Sequence, residues 1–296
     1  MQNEIQQLLA LHYVYPLPLN KLQRLLSEIG TLQQLPTISA RELAQALQVQ
    51  LQTAQTLQQN YIKAVKTPFQ TYYERCHIRA IPFMSKYYPK SLLQLRDAPT
   101  VIYAKGQLDL LQYPRKIACI GSRNATNYSI IALQSILPSL IAEPYVIVSG
   151  LAKGADTLAH RMTIELGGHT IAVIGHGFSY IYPKENRQLA TEIANKHLLL
   201  TEYPPYMGPK KWHFPMRNRI ISGLSCALVV TEAAAKSGTL ITTDHALEHG
   251  KDIFVVPGPI DSEQSKGTNN LLKEGAIPIW NGQQIVDELQ MFQMKY

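Results

Sequence analysis

Two hydrophobic periods divide the chain. Up to about residue 66 the apolar positions recur at helical spacing: Leu22, Leu25, Leu26 and Ile29 share one face and stop at Gly30. Ser39 and Glu42 form an S-x-x-E capping box that opens a further helix through Leu47. The Gln-rich run over residues 50–60 reads as a polar helix face. Residues 67–113 are mixed, with IRAIPF and TVIYAKG as short strands and PKSLLQL between them as a helix. From Lys116 onward, short β-branched runs (KIACIGS, YVIVSG, TIAVIG, HLLLTEYP, CALVVTEA, DIFVVPG) alternate with amphipathic segments such as GADTLAHRMTIELG. That alternation predicts right-handed βαβ units and a mostly parallel sheet covered on both faces. The expectation is a small all-helical domain over residues 1–66, then a doubly wound, Rossmann-like α/β domain over residues 67–296.

Composition is that of an ordinary globular protein, with 46% apolar and 17% charged residues. The net charge of +7 favours a polyanionic partner. The distribution of charge is more telling than its sum. No carboxylate occurs between Glu202 and Glu232, where Lys210, Lys211, Arg217 and Arg219 interleave with Tyr203, Tyr206, Trp212 and Phe214. Cations neutralise phosphates and flat rings stack unpaired bases; a solvated basic loop with core aromatics is the plainer reading. Arg217 and Arg219 stand at an expected helix start, where free backbone N–H groups favour an anion. Residues 110–142 form a second acid-free window, holding Arg115, Lys116 and Arg123. The cysteines, Cys76, Cys119 and Cys226, form no CxxC pair; Cys119 and Cys226 read as buried small hydrophobes. Neither a leader nor a run of about 18 apolar residues is visible, so a reducing cytoplasm and no membrane association are expected.

In a doubly wound sheet, ligands bind beyond the carboxyl ends of the strands. Five unusual turns fall there: GSRNAT, SGLAKGADTLAH, GHGFSYIYPKEN, the aromatic-basic loop, and TEAAAKSGTL. Gly121 and Gly238 permit close backbone approach. Ser122, Thr126, Ser237 and Thr239 offer hydroxyls, and Arg123, Lys153, Lys184, Lys211 and Lys236 supply charge. Tight βα turns need glycine, and helix caps need Ser or Thr, for purely structural reasons; five such turns on one edge point to a phosphate-binding trough. Enzyme motifs fit poorly. GxxxxGK[ST] is absent despite KSGT, GHGFSY has two of three fingerprint glycines, and neither a G-x-S-x-G elbow nor a cysteine nucleophile turn is present. His245, Glu248 and His249 match an H-x-x-E-H zinc pattern, but Gly250 ends that helix at once. Asp156 and His160, one helical turn apart, are an acid/base pair or a cap and its packing partner.

An ordered set of blocks runs along residues 81–282: YP-x-x-LL-x-x-x-D-x-P at 88–99, GSR at 121–123, SGLAKGAD at 149–156 and YPKEN at 182–186. FPMRNRIISGLS at 214–225, KSGTLIT at 236–242, VPGPI at 256–260 and GTNNLL at 267–272 follow. Together they resemble the DNA-processing protein A (DprA, or Smf) family, in the form without a C-terminal winged helix. The resemblance implies an extended Rossmann fold preceded by a SAM-like helical domain. It also implies a dimeric, non-catalytic protein without cofactor or metal, which binds and protects single-stranded DNA during natural transformation and loads RecA recombinase. By position it implies a phosphate contact at Arg123, charge from Lys211, base stacking on Phe214, and Arg217, Lys184 and Lys236 along the same trough. Asn218 and Arg219 belong to the same block. Leu271, Leu272 and Ile277 become candidates for the dimer interface, although core packing explains them equally. Ser129 stands where many members have glycine, and little consequence is expected of it inside a helix. The alternative on the same architecture is a nucleotide phosphoribohydrolase, whose PGGxGTxxE block has only KSGT in its place here.

Overall fold

The computed structural model of the chain describes residues 2–294. Five helices come first: α1 (Gln2–Val14), α2 (Leu19–Ile29), α3 (Ala40–Leu47), α4 (Leu51–Ala64) and α5 (Phe69–Arg75). Both halves of the Ser39–Glu42 capping box form at the start of α3, and Gly30 ends α2 with a φ of 73°. Leu22, Leu25 and Ile29 turn inward as their spacing predicts. The buried cluster they join continues past residue 66 through Phe69, Tyr73 and Ile78, and on to Val101 and Tyr103. His12 is buried here with Nδ1 3.0 Å from the Tyr103 hydroxyl.

Nine strands follow: β1 (Arg79–Pro82), β2 (Val101–Gly106), β3 (Lys116–Ile120), β4 (Val146–Ser149), β5 (Thr170–Val173), β6 (Leu198–Thr201), β7 (Ala227–Val230), β8 (Asp252–Val255) and β9 (Ile277–Pro278). They make one sheet in the order β1-β2-β6-β5-β4-β3-β7-β8-β9. β3 to β9 are parallel; β2 joins β6 antiparallel, and β1 joins β2 antiparallel. PKSLLQL forms a short 3-10 helix, Lys90–Gln94.

Between strands run α6 (Asn127–Ala142), α7 (Ala155–Glu165), α8 (Arg187–Lys196), α9 (His213–Leu224), α10 (Gly238–Glu248) and α11 (Lys266–Lys273), with α12 (Gly282–Met294) last. Alternation along β3 shows the two-sided burial. Ala118 and Ile120 pack with Ile220, Ile221 and Leu224 of α9 and Leu271 of α11. Ile117 and Cys119 pack with Leu133, Ile136 and Leu137 of α6 and Val286 of α12. The chain winds outward from β3 to β6, returns through α9, and starts again at β7 beside β3. The switch point therefore lies between β3 and β7, where a crevice opens in such sheets.

Candidate nucleic-acid interface

A cavity of about 320 Å³ occupies that crevice. Its walls come from the turn after β3 (Gly121, Ser122, Arg123), the start of α9 (Phe214, Arg217, Asn218) and the start of α10 (Ser237, Gly238, Thr239). A smaller recess of about 50 Å³ adjoins it, lined by Arg123, Lys153, Tyr182, Phe214 and Arg217. Three of the five strand-end turns thus meet around Arg123 with the helix that follows β6, and the turn after β5 adds Tyr182 and Pro183.

The local sequence explains how the ring and the cation meet. Pro215 sits in the first turn of α9, where its missing N–H costs nothing. His213 anchors this turn, stacked 3.9 Å from the Tyr203 ring, with Nδ1 3.2 Å from the Gly175 carbonyl. Phe214 is thereby held half-buried, its centroid 5.4 Å from that of Tyr182. The Arg123 guanidinium carbon lies 6.0 Å from the Phe214 centroid, a cation–π separation. Arg123 and Tyr182 are exposed, so two rings and a guanidinium border one opening. Lys211 and Trp212 precede them on the surface, with Lys210 Nζ 5.2 Å from the Trp212 ring.

Arg217 and Arg219 have opposite fates. Successive helical residues turn by about 100°, so two positions two apart face nearly opposite ways. Arg217 faces the cavity floor, where it is buried and its Nη1 donates to the carbonyls of Gly150 and Val173 at the ends of β4 and β5. Burial pulls its guanidinium down to about 10, and buried Asp156 opposes that shift. A Cβ on Gly150 would stand 2.5 Å from Arg217 Nη1, so a larger residue there would displace the guanidinium. Arg219 does not line the trough. It is buried on the other face of α9, paired with Glu202 and with its Nε 2.9 Å from Asp97 Oδ2. The helix start also lies earlier than expected, at His213.

The hydroxyls play a different part from the one their position suggests. Ser122 Oγ donates to Gln264 Oε1, Ser237 Oγ to Thr239 Oγ1 at 2.9 Å, and Thr239 Oγ1 to the Gly121 carbonyl at 3.0 Å. They knit three turns together and spend their hydrogens on protein acceptors. Thr126 and Ser129 converge on Glu232: Thr126 N and Oγ1 donate at 2.8 Å, and Ser129 Oγ at 2.7 Å. Ser129 thus has more consequence than its helical position suggested, because it helps pin the arginine-bearing turn to the end of β7. Gly154 (φ 74°) brings the turn after β4 against the Ser122 and Arg123 carbonyls, which a Cβ would approach to 2.3 and 2.6 Å. Charge available to an anion comes from Arg123, the floor Arg217, and the first-turn N–H groups of α10.

The remaining candidates lie around the rim or elsewhere. Lys153 is exposed in an ion pair with Glu185, and Lys184 and Lys236 are exposed outside the two cavities. Asp156 accepts from Gly150 N at 3.1 Å and Ala152 N at 3.3 Å, whereas His160 Nδ1 faces Thr170 Oγ1 at 2.7 Å. They cap and pack separately rather than form a pair. His249 Nδ1 faces Ser222 Oγ at 2.9 Å while His245 faces Glu248. Cys226 is exposed, contrary to its reading as core, because it precedes β7 rather than lying within it. Leu271 is buried in the core, Leu272 packs against that core, and Ile277 lies half-buried in the edge strand β9. Glu232 and Gln264 were missed by sequence reasoning. Glu232 had a signal, as the carboxylate that closes the acid-free stretch directly after an apolar strand; Gln264 had none.

The family model described as DNA recombination-mediator protein A matches residues 79–290. DNA processing protein DprA of Bacillus subtilis is 44% identical over 224 residues, 76% of this chain and 75% of its own length. DprA of Streptococcus pneumoniae is 45% identical over 203 residues, 69% of this chain and 71% of its own. The X-ray structure of Streptococcus pneumoniae DprA superposes with a TM-score of 0.81 at 34% identity, covering 97% of this chain and 98% of that one. A Helicobacter pylori DNA processing protein A structure, described as showing a single-stranded DNA binding mode, gives a TM-score of 0.66 at 32% identity. It covers 72% of this chain and 96% of that one. On its fold, its ordered sequence blocks and these matches, the chain belongs to the DNA recombination-mediator protein A family.

Proposed function

We propose that this protein binds single-stranded DNA through the crevice between β3 and β7, protects incoming strands during natural transformation, and passes them to RecA recombinase without catalysing a reaction. The observation that carries the reading is the juxtaposition of Arg123 with the Phe214 and Tyr182 rings over a cationic floor. Phosphate attraction plus sequence-tolerant stacking is the chemistry of single-strand binding. The single-stranded DNA binding mode of the Helicobacter pylori relative supports it. Lys211, Lys184 and Lys236 act as rim cations, and a homodimer formed through the β9 edge, near Leu271, Leu272 and Ile277, is part of the same proposal.

The test is oligonucleotide binding by fluorescence anisotropy at two salt concentrations. Single strands should outcompete duplex, with log K falling by about 0.7 per neutralised phosphate for each unit of log salt. Arg123→Glu and Lys211→Glu should each cost on the order of 2 kcal/mol, about thirtyfold, by replacing attraction with repulsion. Variants that bind like the parent would show that the crevice is not the interface. Nucleoside monophosphates should yield no free base on incubation.

A further inference from the structure

The opposite ends of the same strands hold a second basic site. A cavity of about 390 Å³ lies where β3, β7 and β8 begin, and Lys86, Lys90, Lys116 and Lys251 line it together with Tyr113. No carboxylate lines it, and none of the four lysines makes an ion pair among the described residues. Lys116 is buried, its Nζ donating to the carbonyls of Leu111, at 3.1 Å, and Tyr113. An ammonium has three donors, so one remains beyond those two.

Helix dipoles explain part of this cluster only. Lys251 follows the carboxyl end of α10, where a cation is favourable. Leu224 and Ser225, at the carboxyl end of α9, line the same cavity, while Lys86 and Lys90 come from neither helix and flank the Tyr88–Pro89 turn. Like charges gathered in one recess repel, and burial of Lys116 adds a desolvation cost. A phosphate in this recess would meet the three further ammonium groups and the remaining Lys116 donor. The walls are also held in place: Gln112 Nε2 donates to the Tyr87 carbonyl at 2.9 Å, tying the two lysine-bearing segments together. Exposed Tyr113 lines the cavity beside the cations, and Lys86 Nζ lies 5.1 Å from the Tyr87 ring outside it.

We propose that this cavity is a second phosphate-binding surface, which takes the backbone of a single-stranded nucleic acid beyond the stretch held in the crevice between β3 and β7. The nucleic-acid identity of the occupant rests on the function proposed above. The two openings sit at opposite ends of β3, roughly 17 Å apart along five residues of strand. That line runs through the sheet and its covering helices, so a strand that reaches both openings must take the longer way around them, which a short oligonucleotide does not span.

The experiment compares oligothymidylates of about 6 and about 30 nucleotides, one within and one well beyond a typical single-strand site, by anisotropy at about 50 and 200 mM salt. The variants are Lys86→Gln/Lys90→Gln/Lys251→Gln, which leave buried Lys116 in place, and the charge-keeping Lys86→Arg/Lys90→Arg/Lys251→Arg. The glutamine variant should weaken the long strand at least about tenfold at low salt and reduce its salt slope by about 2, three contacts at about 0.7 each. The short strand should bind as before, and the arginine variant should match the parent. A glutamine variant that holds the long strand with unchanged affinity and slope overturns the inference. So does equal weakening of both lengths, or loss of inorganic phosphate binding with the long strand unaffected, which would mark a small-anion site. If Arg123→Glu abolishes short-strand binding while the lysine variant is silent, the crevice reading stands and this one falls. A parent that binds neither strand overturns both.

Discussion

Replacing Arg219 by methionine separates the two arginines of the MRNR segment most sharply. Arg219 has 3% of its side chain exposed and Glu202 11%, so their charges face each other in the dry interior. Burial pushes the Glu202 carboxyl up, and the guanidinium opposes that shift. Removing the arginine leaves a carboxylate without its cation, a loss of about 3–5 kcal/mol for a buried pair. Asp97, 30% exposed, is better hydrated once its partner is gone and adds little. The lower end, about 3 kcal/mol, is the expected destabilisation, which corresponds to a melting shift of about 5 °C in a chain of this size. Urea unfolding followed by circular dichroism measures the cost. Anisotropy with a single-stranded oligonucleotide, well below the melting point, should show parent-like affinity. The double variant Arg219→Met/Glu202→Leu should recover most of the stability, because an apolar pair replaces an orphaned charge. A parent-like urea midpoint for the single variant would refute the structural role. A folded Arg219→Met protein that has lost strand binding would return Arg219 to the trough.

Phe214→Ala should cost about 1–3 kcal/mol of single-strand affinity if a base stacks on the ring, read by anisotropy; an unchanged affinity would make it a packing residue alone. His12 and His160 are both pulled down to about 3 by burial, so between pH 3 and 6.5 the unfolded chain binds protons that the native one does not. Their stability contribution is full above pH 6.5 and is lost as pH falls, at up to about 1.4 kcal/mol per pH unit for each histidine. Urea midpoints at pH 7 and pH 5 check this, and His160→Gln should flatten the slope; a slope unchanged in that variant refutes the assignment.

The strands were legible because β-branched runs such as KIACI and ALVV are too short and too apolar for anything but a sheet covered on both faces. Their carboxyl ends followed from βαβ handedness, which placed Arg123, Phe214 and the KSGT turn around one crevice. Side-chain direction was less legible. Arg217 and Arg219 look alike in FPMRNRIIS, but a helix sends them to opposite faces, one to the cavity floor and one into an ion pair. Ser122 and Thr239 read as donors to a ligand because their distant acceptors, Gln264 and Gly121, are fixed only by tertiary packing, whereas Ser237 spends its hydrogen locally on Thr239. Lys116 was visible as a cation of the second acid-free window, but its place at the amino end of β3, away from the crevice, was not, and Cys226 passed for core because the strand begins one residue after it.

β2 serves two interiors at once: Ile102 and Ala104 pack toward the Rossmann-like core, while Val101 and Tyr103 pack toward the amino-terminal helices. The helical part is accordingly not a detachable bead on a string. Trimming the chain at residue 66 would strip cover from a strand hydrogen-bonded into the nine-stranded sheet, leaving a greasy flank on an otherwise finished molecule. A shortened version intended for crystallisation or partner mapping would therefore need polar replacements at Val101 and Tyr103 to stay dispersed.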